Sequence, residues 1–142
     1  EILMANPNSG SHGEIRGDFP GGWAGDKSNA FTGEGMDKNA MEAQAFMKNL
    51  LNWRKNTPVM HNGKLMHYVP MEGVYVYFRY DEDATVMVVL SKNDKDVALD
   101  LSRFAERMSG TESATDIISG QTMQLDGKLT VPAMTPMVIE LK

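Results

Sequence analysis

The sequence predicts a mainly β protein: a C-terminal antiparallel β-sandwich of Greek-key type, preceded by one long α-helix and an irregular glycine-rich loop. Three observations carry this expectation. From Pro58 onward, apolar and polar residues alternate in short runs broken by turn signals. Between Asp37 and Lys55 the apolar residues instead recur at three- and four-residue steps. Ahead of both, eight of the 13 glycines crowd into residues 5–36, where hydrophobic periodicity is weak.

In chain order, "EILM" reads as the end of a buried strand, and "NPNSG" as a turn after it. Glu1 is therefore read as a cut point inside a longer protein. The glycine-rich stretch that follows is longer than an ordinary connection, and segments of this kind are usually functional. Next comes the helix, with Ala43, Phe46 or Met47, Leu50, and Trp53 or Arg54 on its apolar stripe. Asp37 or Asn39 suits its start, Lys48, Arg54 and Lys55 suit its negative end, and Pro58 stops it.

The strands follow as "KLMHYV", "GVYVYFRY", "ATVMVVLS", "DVALDLS", "ATDIIS", "QTMQL", "KLTV" and "TPMVIEL", with a helical or irregular "RFAERMSG" among them. In the second, Val74, Val76 and Phe78 share one face, while Tyr75, Tyr77 and Arg79 share the other. Asp126-Gly127 is expected to close a hairpin between "TMQL" and "KLTV", because glycine accepts positive φ without steric cost. The boundary between the two organisations is expected at Thr57-Pro58.

Composition removes several functions. A net charge of −5 and the lack of any basic block argue against nucleic-acid binding. With no cysteine, disulfides and thiolate metal sites are excluded. No run approaches the roughly 20 apolar residues of a membrane-spanning helix.

The motifs narrow matters further. Gly25-Asp26-Lys27-Ser28 is no phosphate loop, since Asp26 stands where glycine is needed and would repel phosphate. Arg16-Gly17-Asp18 reads as an arginine and an aspartate pinning a loop by charge-assisted hydrogen bonds. His12, His61 and His67 have no metal-ligand spacing. Glu14, Asp18 and Asp26 are carboxylates on paper, but nothing nearby would separate their pKa values for acid–base work. Trp23 on the loop offers either a flat face for a sugar ring or a loop anchor. Trp53 reads as core, and the 12 methionines read as soft core filler.

At this point the residues resemble a known family. "IRGDFPGGWAGDKSNAFTG", "FMKNLLNWRKNTPVMHNGKLMHY" and "GVYVYFRY" resemble the C-terminal end of α-amylase family enzymes (glycoside hydrolase family 13), of neopullulanase/cyclomaltodextrinase type. The shared pattern includes Glu1 at the end of the eighth barrel strand and Leu50, Trp53, Arg54 and Lys55 at the end of the eighth helix. Pro58, Val59, Gly63, Leu65 and Tyr68 then open the sandwich.

The resemblance implies that residues 1–57 are a remnant of a catalytic (β/α)8 barrel, and 58–142 the C-terminal sandwich. The loop would lie at the barrel's C-terminal face, where such active sites sit. Arg16, Asp18 and Trp23 become the implied substrate-binding residues, although His12 stands where relatives carry an aspartate. The family's two aspartates and one glutamate of catalysis lie upstream, so this chain is expected to hold no catalytic residue and to be inactive alone. The implied ligand is an α-glucan oligosaccharide bound through the parent active site. No cofactor is implied for the chain, though calcium in the parent is compatible with the family, and the resemblance favours a periplasmic or extracellular parent. A rival reading is a non-catalytic carbohydrate-binding module using Trp23 or the Tyr75–Tyr77 row. A third is self-association of the fragment through exposed apolar edges.

Overall fold

The computed structural model describes residues 2–3 and 16–142. Glu1, His12 and Glu14 lie outside the described residues. The chain divides into two compact units, Glu1–Leu51 and Asn52–Lys142.

The long helix, α1, runs Lys38–Lys55. Of the two candidate caps, Asp37 serves: its carboxylate accepts the backbone N–H groups of Asn39 (2.9 Å) and Ala40 (3.2 Å). The stripe resolves to Ala40, Ala43, Met47, Leu50 and Trp53, which are buried or half-buried. Phe46 lies off it and stays 39% exposed. Pro58 does end α1, but it also starts a single helical turn, α2 (Val59–Asn62), where strand had been expected to follow.

The strands are β1 (Lys64–His67), β2 (Val74–Tyr80), β3 (Thr85–Ser91), β4 (Val97–Asp100), β5 (Ser113–Asp116), β6 (Thr122–Gln124), β7 (Lys128–Val131) and β8 (Met137–Leu141). The chain is mainly antiparallel β with one long helix, as expected. The two sheets are unequal: six strands in the order β1-β2-β3-β8-β5-β6, and a ribbon of β4 and β7. All strand pairs are antiparallel.

Alternation places the core. Val74, Val76 and Phe78 of β2, Met87 and Val89 of β3, and Met137 and Ile139 of β8 are buried together with Leu129 and Val131 of β7. A 3₁₀ turn (Leu101–Phe104) and a short helix, α3 (Ala105–Met108), add Leu101, Phe104 and Met108. Phe104 has no exposed surface and meets Tyr68 edge-on at 4.8 Å and Phe78 at 6.0 Å. Met87, Met108 and Met137 are core filler as expected, but Met71 and Met134 are exposed.

Two expectations about turns are overturned. Asp126-Gly127 closes no hairpin, because β6 pairs with β5 in the large sheet and β7 with β4 in the ribbon. Gly127 does adopt φ +79°, but there it carries the chain from one sheet to the other, and its carbonyl accepts Leu101 N–H at 2.9 Å. The hairpin that does form lies inside "ATDIIS", where β5 stops at Asp116. That carboxylate is 4% exposed and accepts the N–H groups of Ile118, Ser119 and Val138 and the Ser119 hydroxyl. Four donors fix both oxygens and turn the chain back toward β6.

Candidate functional site

Residues 16–37 form an ordered loop despite their lack of periodicity. Proline and glycine around "PGGW" favour tight turns, and two short polar side chains hold them. Asp26 accepts Gly21 N–H at 2.8 Å and Trp23 N–H at 3.1 Å. Asn29 accepts Phe31 N–H at 2.8 Å and Thr32 N–H at 3.1 Å, while its own N–H reaches the Glu34 carbonyl. Ala30 N–H closes onto the Pro20 carbonyl at 3.1 Å, and Ala30 is 1% exposed. Gly35, at φ +65°, passes so close to Lys27 that a Cβ there would sit 2.5 Å from its carbonyl oxygen.

Among the described residues the expected pinning by Arg16 and Asp18 is not seen. Both are exposed, and neither bonds or ion-pairs with another described residue. Their task is taken by Asp26 and Asn29, whose backbone bonds are shorter-range and need no paired charge. The signal was present in the sequence: Asp and Asn beside glycines are turn-forming residues that bond nearby backbone, Asn29 two and three residues on and Asp26 three and five residues back. Asp26 had been weighed only as a carboxylate candidate, and its Oδ2 is occupied by backbone donors.

Trp23 is 69% exposed and Phe31 75%, with Phe19 against Phe31 at 5.6 Å. Burying large rings is favourable by about 2 kcal/mol or more each, so rings held outward on a pinned loop are costly unless something meets them. The loop can therefore present an indole face, a guanidinium and a carboxylate. Among the described residues no cluster of three or more His, Asp or Glu could hold a metal ion. No helix among them is long and apolar enough to cross a membrane.

The second unit carries its own aromatic row. Tyr75 and Tyr77 stand on the outer face of β2 with ring centres 5.8 Å apart and planes tilted by 38°. His67 of β1 meets Tyr75 edge-on at 6.4 Å. Burial, then the neighbouring Tyr75, raises the pKa of the Tyr77 hydroxyl above the usual tyrosine value, and Arg79 opposes this. Tyr77 thus keeps its proton as a neutral donor.

A family model described as the cyclo-malto-dextrinase C-terminal domain matches residues 65–140. The chain belongs to that family. Its membership bears out the resemblance to the α-amylase family read from the sequence, and the matched span covers nearly all of β1 to β8. Solved structures share the fold. AmyP in complex with maltose gives a TM-score of 0.64 at 14% identity, covering 76% of this chain and 22% of that one. The α-amylase of Geobacillus thermoleovorans, complexed with acarbose, gives 0.63 at 15% identity, covering 76% and 24%. A trehalulose synthase MutB mutant, R284C, gives 0.56 at 20% identity, covering 69% and 18%. This cyclomaltodextrinase-type domain thus spans less than a quarter of the length of those structures.

Proposed function

We propose that this chain is the C-terminal part of a retaining α-glucan hydrolase that acts on starch-derived maltodextrins. The family match over residues 65–140 carries that reading. Residues 1–57 would then be the end of a (β/α)8 barrel with its rim loop, and 58–142 the C-terminal sandwich. Arg16, Asp18 and Trp23 would face the glucan across the barrel mouth, where loops after the strands form the site. Their exposure on a pinned loop supports this role. Arginine's fixed fork of donors suits adjacent sugar hydroxyls, and an indole suits the C–H face of a pyranose ring.

Retaining hydrolysis needs a nucleophilic carboxylate and an acid–base carboxylate about 5 Å apart. The chain supplies neither in this reading, so its role is mechanical and ligand-positioning. The purified 142-residue chain is expected to release no product from maltoheptaose or γ-cyclodextrin. Measurable cleavage by it would overturn the proposal.

Trp23, 69% exposed, favours a second reading, a glucan-binding module without catalysis. Saturable quenching of tryptophan fluorescence by maltoheptaose, lost in Trp23→Ala, would select it.

A further inference from the structure

The outer face of the six-stranded sheet is covered over only part of its width. On β3 and β8, Val86, Val88 and Val138 point outward by alternation yet are 1%, 5% and 7% exposed. The neighbouring helical segment accounts for this: Arg79 Nη2 reaches the His61 carbonyl of α2, and Trp53 reaches Glu140. Toward the other end of the same face, Leu90, opposite Tyr75, is 42% exposed, and on the edge strand β1 Leu65 is 58% exposed. Between these two sides runs the row His67, Tyr75 and Tyr77, beside a groove of about 440 Å³ bordered by Pro70, Gly73, Leu90, Ser91 and Lys92.

We infer that this row is a second sugar-contact surface, separate from the loop, which holds a segment of α-linked glucan with its rings stacked on Tyr75 and Tyr77. The geometry selects the ligand class. Tyr75 and Tyr77 are half-buried side by side on one strand, and each joins an apolar ring to a hydroxyl, which suits a ligand having both C–H faces and many hydroxyls. The 38° tilt between them suits a chain that turns from one residue to the next. α-Linked glucose polymers curve in this way, whereas flat β-linked chains call for coplanar rings. Lys92, exposed at the groove wall, and the tyrosine hydroxyls supply donors to a neutral polyol. The choice of glucan rests on the functional reading above; the site itself rests on the sheet.

Amide chemical shifts of the ¹⁵N-labelled chain, followed during titration with maltoheptaose and separately with cellohexaose, test this. Saturable shifts at His67, Tyr75, Tyr77 and Lys92 with maltoheptaose alone are expected, with Kd in the roughly millimolar range usual for exposed stacking sites. Tyr75→Ala is expected to weaken binding about tenfold or more, and Tyr75→Phe by less than about threefold. Lys92→Ala, at an exposed position that does not endanger the fold, is expected to weaken it about threefold. Shifts confined to residues 16–37, equal response to both sugars, or no response would each overturn the inference. Failure here would leave the absence of maltodextrin cleavage, measured separately, untouched.

Discussion

The indole Nε1 of Trp53 donates to Glu140 Oε1 at 2.6 Å, tying the last turn of α1 to the last strand across 87 residues of sequence. Thr57 Oγ1 bonds the Trp53 carbonyl at 2.8 Å, and the His61 ring bonds the Arg54 carbonyl at 2.8 Å, so the helix end is secured at both side chain and backbone. A bond from a half-buried indole to a carboxylate is worth about 1.5–3 kcal/mol. Glu140→Ala is therefore expected to lower the urea midpoint in proportion, and Glu140→Gln, which keeps an acceptor, by about half as much or less. Equal loss from both variants would mean the bond contributes little.

Asp116 is the buried hinge of the β5–β6 turn. Asp116→Ala would strand the N–H groups of Ile118, Ser119 and Val138, at a cost of about 3 kcal/mol or more. Ser119→Ala removes one of four donors and is expected to cost about 1 kcal/mol. Chemical denaturation of both variants checks the ordering, and a milder effect from Asp116→Ala would refute the hinge.

Phe104 enters the core from a 3₁₀ turn that belongs to neither sheet. Phe104→Ala is expected to cost about 3–5 kcal/mol, since Tyr68 and Phe78 cannot collapse into the gap. Phe104→Leu, which restores most of the volume, is expected to cost less than half of that. The thermal midpoints of the two variants compare them directly.

Acid stability has one named contributor. The Ser102 side chain, then the Ser102 backbone N–H, bonds Asp100 and holds its carboxyl below the ordinary 3.8. A depressed folded value means the stabilisation is present above the unfolded pKa and fades as pH falls through the folded one. The stability difference between the native chain and Asp100→Asn is therefore expected to be constant near neutrality and to shrink below about pH 4. A difference that grows on acidification would contradict this assignment.

Loop order rests on Gly35 and Asp26 in the same way. Gly35→Ala cannot keep φ +65° or clear the Lys27 carbonyl, and Asp26→Ala frees the turn before Trp23. Both variants are expected to show faster proteolysis within residues 16–37 while the sandwich resists. Unchanged cleavage rates would show the loop to be held by other means.

Much of the sandwich was legible because its causes are local. The period-two pattern of Val74, Val76 and Phe78 marks a strand with one buried face wherever its partner lies, and the three- to four-residue steps of α1 mark a helix. The residues proposed for sugar contact, Arg16, Asp18 and Trp23, were reached only through likeness to relatives, since their exposure is not encoded in any spacing. Asp26 was weighed as a carboxylate candidate because a turn-forming acid and a reactive acid are the same residue until their neighbours are seen.

What the amino-acid order determined by itself was the kind of each element: one helix, a set of short strands, and a glycine-rich loop, each dictated by side-chain periodicity and backbone freedom within a few residues. Only the tertiary structure decided that β6 joins β5 rather than β7, that Phe104 enters the core from a 3₁₀ turn, and that Trp53 finds Glu140. Those outcomes depend on which apolar faces meet across long stretches of chain. That is a competition among distant surfaces for burial, and no local pattern records its winner.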